Sequence, residues 1–212
     1  AVSWSGNFKV MYSSDGINWT GTNNGVEASD WYSVTYGDGK FVAVASDGAT
    51  KVMYSTDGQN WTPTTSGVNS ASGWRSVTYA DGKFVAVAKN GDSRAMYSTN
   101  GIDWTESPTS NVTVVVADLI SENESLHNYY DFDLVGENSK NIAHGGGQFT
   151  AVADGHVMYS FDGINWVDGG TASPIAGTGW QSIVYGVNRF VAVSTYTSAD
   201  AVTMWSITGG ST

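Results

Sequence analysis

Apolar and polar residues alternate along this chain in short runs cut by Gly-containing turns, which predicts β-strands rather than helices. Within residues 31–64, strands are expected at Ser33–Tyr36, Phe41–Ala45 and Lys51–Ser55, with another starting near Asn60. Gly37-Asp38-Gly39, Ser46-Asp47-Gly48 and Thr56-Asp57-Gly58 separate them. At such turns Gly takes the positive-φ position and the Asp side chain accepts from the turn backbone. Three hairpins give an up-and-down sheet of four strands, and the link Thr65–Gly73 carries the chain onward. Phe41, Ala43 and Ala45 share one face of the second strand, while Val42 and Val44 share the other. Val52 and Tyr54 likewise lie opposite Met53. Both faces are apolar, so the sheet is expected to be covered on both sides.

The same pattern returns. WYSVTYGDGKFVAVASDGATKVMYSTDGQNWTPT (31–64) is followed by WRSVTYADGKFVAVAKNGDSRAMYSTNGIDWTES (74–107). Further copies begin at Ser139 and Trp180, and the chain opens partway through another. Equivalent aromatics fall at Tyr12, Tyr54, Tyr97, Tyr159 and Trp205, spaced by 42, 43, 62 and 46 residues. Repeats of this length that cannot cover their own sheets point to stacking around an axis. The expected fold is all-β: a five-bladed β-propeller of four-stranded antiparallel blades with one β-rich insertion. A β-solenoid is the structural rival, but its coils are usually shorter and lack internal hairpins. The copies span approximately 1–30, 31–73, 74–138 (with the insertion at 106–138), 139–179 and 180–212 of a single domain. The first copy starts inside its second strand and the last stops past its third. A closed ring would set these two side by side, with the gap filled by upstream residues, the insertion or a neighbouring subunit.

The third-to-fourth-strand turn reads SSDGINW (13–19), STDGQNW (55–61), STNGIDW (98–104) and SFDGINW (160–166). It resembles the Asp-box (BNR) motif, Ser-x-Asp-x-Gly-x-x-Trp, of sialidase-like propellers, although here Gly follows Asp directly. The whole repeat also resembles repeats of bacteriophage tail and other virion proteins, cyanophages included. The resemblance implies a propeller whose boxes sit on the periphery, away from any catalytic centre. Asp15, Asp57, Asn100 and Asp162 are expected to accept hydrogen bonds from turn amides, with Trp19, Trp61, Trp104 and Trp166 packed beneath the hairpins. A sialidase would further need three converging Arg residues, but Arg75, Arg94 and Arg189 fall at non-equivalent repeat positions.

Composition narrows the partners. A formal charge of −11 disfavours nucleic acid and anionic membrane surfaces. The chain has no Cys, so a disulfide framework and a thiolate zinc site are both excluded. No apolar run is long enough to span a membrane as a helix. His127, His144 and His156 show no ligand spacing, and His144 stands where other repeats carry Tyr36, Tyr79 and Tyr185. Asp131-Phe132-Asp133 with Glu137 reads as a solvated acidic loop rather than a calcium loop, since the loop glycine is missing. No metal, no cofactor and no catalytic residue is expected.

Candidate contacts come from position in the repeat. Trp31, Trp74 and Trp180 open successive copies, either as wedges between blades or as sugar-stacking faces, with Tyr36, Tyr79 and Tyr185 nearby. The insertion carries Tyr129, Tyr130 and Phe132, aromatics suited to protein contact or to a self-packed hairpin. The function expected is a non-enzymatic structural or adhesion module on a virion (tail, fibre or decoration) or an exported surface. Its partners would be other virion or surface proteins or cell-surface glycans, with homo-oligomerisation possible. A multivalent lectin is the alternative, and a degenerate glycoside hydrolase the remaining one.

Overall fold

The computed structural model describes residues 1–68, 72–89, 94–107, 141–153, 156–168, 180–194 and 203–207. Tyr129, Tyr130, Phe132 and the rest of the insertion lie outside them, as does His127. Five antiparallel sheets follow one another along the chain. The first holds β1 (Val10–Tyr12) and β2 (Thr20–Thr22). The second is β3 (Trp31–Gly37), β4 (Lys40–Ala45), β5 (Val52–Ser55) and β6 (Thr62–Thr64). The third is β7 (Trp74–Ala80), β8 (Lys83–Ala88), β9 (Ala95–Ser98) and β10 (Thr105–Glu106). The fourth is β11 (Asn141–Gly145), β12 (Gln148–Ala153), β13 (His156–Ser160) and β14 (Val167–Asp168). The fifth is β15 (Trp180–Gly186), β16 (Arg189–Ser194) and β17 (Thr203–Ile207).

Each sheet is a meander in sequence order, and the expected hairpins fall where the turn residues placed them. Four strands hold for the three middle sheets only. In the first sheet, the expected second strand shrinks to one bridge between Val2 and Val10, and the fifth has three strands among the described residues.

Register explains the two-faced pattern. Ala43 pairs with Met53 and Val34, while Val42 pairs with Tyr54 and Thr35, so each strand offers one row to each neighbouring sheet. Four apolar cores result, each between successive sheets. At the second-to-third interface, Val42, Val44 and Val52 seat against Trp74, Val77, Phe84, Ala86, Met96 and Trp104. Val85, Val87 and Ala95 meet Ile142, Phe149, Met158 and Trp166 in the same way. The first strands of successive sheets are also stitched together. The Val77 amide donates to Ser33 Oγ at 3.2 Å, and the Ile142 amide to Ser76 Oγ at 3.3 Å. Asn141 stands where Ser33 and Ser76 do, and its side-chain amide donates to the Gln181 carbonyl.

The arrangement is propeller-like, but the expected meeting of first and last copies is not seen among the described residues. The face of the first sheet carrying Met11 and Trp19 is open, and so is the face of the fifth carrying Val184 and Val193.

The turn between the first two strands of each copy departs from its pattern once. Asp38-Gly39, Asp81-Gly82 and Gly146-Gly147 all take positive φ, as this tight hairpin requires. The fifth copy forces Val187 (φ 51°) and Asn188 (φ 57°) into the same shape. Val187 is 95% exposed, so no packing offsets the strain of a β-branched residue there. Val187→Asp with Asn188→Gly is expected to stabilise the chain by about 1–2 kcal/mol, read as a raised melting temperature.

Candidate functional site

Two recurring groups of polar and aromatic residues are candidates: the boxes at the third-to-fourth-strand turns, and the rim formed by the turns of the first hairpins.

In the second sheet's box, Ser55 Oγ accepts from the amides of Asp57 (3.3 Å) and Gly58 (2.8 Å) and donates to Asp57 Oδ1 (3.0 Å). Asp57 Oδ1 then takes the amides of Gln59 and Asn60, both at 2.8 Å, and Oδ2 takes the Asn60 side-chain amide at 2.7 Å. Trp61 Nε1 closes the turn on the Gly58 carbonyl at 3.3 Å. Asp15 and Asp162 repeat this pattern with Asn18 and Asn165. The third copy keeps it with the roles exchanged. Asn100 Oδ1 accepts the amides of Ile102 and Asp103, while its own amide donates to Asp103 Oδ2 at 2.9 Å. The charge has moved three residues along and the side-chain-to-amide bonds are kept, while Trp104 Nε1 is left without a partner.

These bonds set the acidity of the carboxyls. The backbone and side chain of Asn18, with the Ile17 amide, hold Asp15 well below the usual carboxylate range. Asn60 and the Gln59 amide do the same to Asp57. Partial burial pushes Asp162 up, but the amides of Asn165 and Ile164 and the side chains of Asn165 and Ser160 outweigh it, leaving about 2. Asp103 is lowered by the side chains of Asn100 and Ser66. A general acid working near neutral pH needs the opposite shift. Folded pKa values below the unfolded one, about 3.9, mean stability that is present above that value. It is lost as pH falls through the folded values. The melting temperature is therefore expected to hold above about pH 5 and to fall between about pH 4 and 2. Asp57→Asn alone should lower it at neutral pH by placing two side-chain amides face to face. Adding Asn60→Asp, which copies the third box, should recover most of the loss. If the double substitution melts no higher than the single one, the exchange of roles is not what holds this turn.

The boxes also lock neighbouring sheets. The Trp61 amide donates to the Asn24 carbonyl and the Trp104 amide to the Ser66 carbonyl, each at 3.0 Å. Thr22 and Thr64 hydroxyls donate to the carbonyls of Gln59 (3.1 Å) and Ile102 (3.0 Å). Each box is thus a seat for the outer loop of the sheet before it. Trp61, Trp104 and Trp166 are buried as expected, whereas Trp19 is 48% exposed.

Trp31, Trp74 and Trp180 are fully buried, which corrects their reading as sugar-stacking faces. They fill the cores between sheets and leave no ring face open to a ligand. The rim residues fare differently. Tyr36, Tyr79, His144 and Tyr185 each lay their ring on the Phe of the adjoining strand, with centroids 4.5–4.8 Å apart. Tyr36 is 59% exposed. His144 takes the place of a packed tyrosine, as its repeat position suggested, and adds a contact across sheets: Nε2 lies 2.8 Å from Asp81 Oδ2. Lys40 Nζ lies 3.6 Å from Asp38 on the same rim.

The three arginines are placed separately. Arg75 stacks its guanidinium 3.8 Å from the centre of the Tyr32 ring. Arg94 donates to the Lys89 carbonyl at 3.1 Å, as Lys51 does to the Ser46 carbonyl at 3.2 Å. Arg189 opens β16. Sequence reasoning missed the Tyr32–Arg75 stack and the His144–Asp81 pair, because both join residues from different repeats. The only advance signal was a His at a Tyr position. Among the described residues no group of His, Asp and Glu is arranged to hold a metal ion.

No protein-family model and no curated protein matches the chain. Solved structures do. A virginiamycin B lyase from Staphylococcus aureus aligns with 88% of this chain and 55% of its own, at 11% identity and TM-score 0.60. A streptogramin B lyase aligns with 92% of this chain and 60% of its own, at 12% identity and TM-score 0.59. YCF48 bound to D1 peptide aligns with 84% and 55%, at 16% identity and TM-score 0.52. Such low identities establish a shared propeller-like fold and nothing of function. The chain spans less than two thirds of each of these proteins.

Proposed function

We propose that the chain is a non-enzymatic structural or adhesion module, carried on a virion (tail, fibre or decoration) or an exported surface. One observation supports this above the rest: the carboxylates that recur through the repeats are saturated by their own turns and held at low pKa. They are committed to the fold and poorly suited to proton transfer. The rim supplies the binding surface in this reading, through Tyr36 and the polar turn residues Asp38, Lys40 and Asp81. The matched structures include lyases and a peptide-bound protein, so the fold itself leaves both kinds of role open. With the tryptophans buried, a repeated lectin would have to rely on that same rim.

The test is to measure binding of the purified chain to bacterial envelopes, with and without periodate oxidation of their glycans, alongside hydrolysis of chromogenic glycosides. Binding without product release is expected, and periodate sensitivity would select glycans over proteins as the partner. Turnover above background that is abolished by Asp81→Asn would defeat the proposal.

A further inference from the structure

Arg75 is held in place without being bonded. Its guanidinium lies 3.8 Å from the centre of the Tyr32 ring on the preceding sheet. Among the described residues it makes no hydrogen bond and no ion pair. Nε is buried with no partner, and the two Nη nitrogens, equally unbonded, are the part of the group that reaches solvent. Other cations of the chain are satisfied. Lys9, Lys51 and Arg94 donate to the carbonyls of Trp4, Ser46 and Lys89, and Lys40 pairs with Asp38. The chain carries a formal charge of −11, yet no carboxylate pairs with this arginine. An unpaired buried donor costs stability, so a purely structural role leaves Arg75 unexplained.

The repeat singles out the position. In the second, third and fifth sheets the ladder between the first two strands slips by one residue, between Trp31 and Ser33, Trp74 and Ser76, and Trp180 and Ser182. The extra residues are Tyr32, Arg75 and Gln181. The Trp before and the Ser after are kept in each of these copies, while the residue between changes from aromatic to cation to amide. A bulge of this kind takes its side chain out of the ladder and re-aims it. The Val77 amide donates to Ser33 Oγ at 3.2 Å, which sets β3 beside β7 so that the two bulge residues meet.

We propose that Tyr32 and Arg75 form a binding site for a saccharide bearing one carboxylate, a sugar of the uronic-acid kind. The Arg75 Nη nitrogens donate to the carboxylate, and the part-exposed Tyr32 ring meets the body of the sugar. Stacking on the ring fixes the plane of the guanidinium, and a fixed fork is what two parallel bonds to a carboxylate require. The net charge opposes a polyanion, so one carboxylate on an otherwise uncharged carrier is the ligand that the field admits. A peptide fits less well. Among the described residues of the second and third sheets, Tyr32 and Tyr36 are the only exposed large apolar side chains, which leaves no pocket for an anchoring residue. Tyr32 and Tyr36 lie towards opposite ends of β3, so this site is separate from the rim and independent of what the rim binds.

Isothermal titration of the purified chain with cellobiouronic acid should show saturable binding that weakens with added salt. Cellobiose and the methyl ester of the acid, which lack the charge, should bind at least about tenfold more weakly. Arg75→Met should weaken binding of the acid by a similar factor while the melting temperature holds or rises, because the unpaired donor is gone. Arg75→Lys should not restore the affinity, since the charge returns without the fork. Tyr36→Ala, at the rim, should leave it unchanged. No binding of the acid, equal affinity for acid and ester, or full affinity in Arg75→Met would overturn the inference. A loss in Tyr36→Ala with none in Arg75→Met would move the sugar to the rim and overturn it as well. So would capture of an acidic peptide by a chain that ignores the acid.

Discussion

Trp74→Ala is expected to cost about 3–5 kcal/mol, a fall in melting temperature of roughly 6–20 °C for a chain of this size. Trp74 is completely buried between the second and third sheets, among Val42, Val44, Phe84 and Met96. Removing the indole opens a cavity that two sheets, each fixed on its other side, cannot collapse to fill. Trp61→Ala and Trp104→Ala should fall in the same range, because each box Trp is covered by the preceding sheet. Trp19→Ala is the internal control. Its ring is half exposed, and its loss should stay within about 1 kcal/mol. Equal losses at Trp19 and Trp61 would mean that the covering sheet contributes nothing, and the stacked architecture would fail with it.

Gly67→Ala should be comparably severe through a different cause. The loop after β6 brings Gly67, at φ +67°, so close to the next box that a side-chain carbon would lie 1.7 Å from the Trp104 carbonyl oxygen. Gly25 meets the Trp61 carbonyl in the same way, at 1.8 Å. A left-handed Ala costs about 1–2 kcal/mol anywhere, and displacing the backbone beneath it adds more, for a total above about 3 kcal/mol. Gly16→Ala separates the two contributions. It shares the positive φ but has nothing within 4 Å, so only the conformational part should appear in its denaturation midpoint. Similar losses at Gly16 and Gly67 would show that the loop does not clasp the neighbouring sheet.

The strands were legible because a two-faced sheet writes its period directly into the chain: Phe41-Val42-Ala43-Val44-Ala45 sends alternate side chains to different neighbours. The hairpins were legible because Asp-Gly at 38–39 and 81–82 satisfies a backbone shape that few other pairs accept. What could not be read was anything set by an adjacent sheet. The tryptophans opening each copy look like platforms until the preceding sheet is packed over them. Gly25 and Gly67 look like ordinary loop residues until the next box arrives beneath them. The pairing of His144 with Asp81 spans two copies, and no spacing within one copy encodes it.

Methionine oxidation tests the stacking of the sheets most directly, because the repeat places the same residue on covered and on open sheet faces. Met53, Met96 and Met158 lie between sheets and are buried, while Met11 lies on the open face of the first sheet. Exposure governs the conversion of Met to its sulfoxide. Peroxide treatment of a dilute sample, followed by peptide mass spectrometry, should oxidise Met11 early and leave Met53, Met96 and Met158 intact while the chain stays folded. Oxidation of Met53 and Met96 as fast as Met11 would contradict the stacked sheets, and a Met11 as protected as they are at high dilution would contradict the open end.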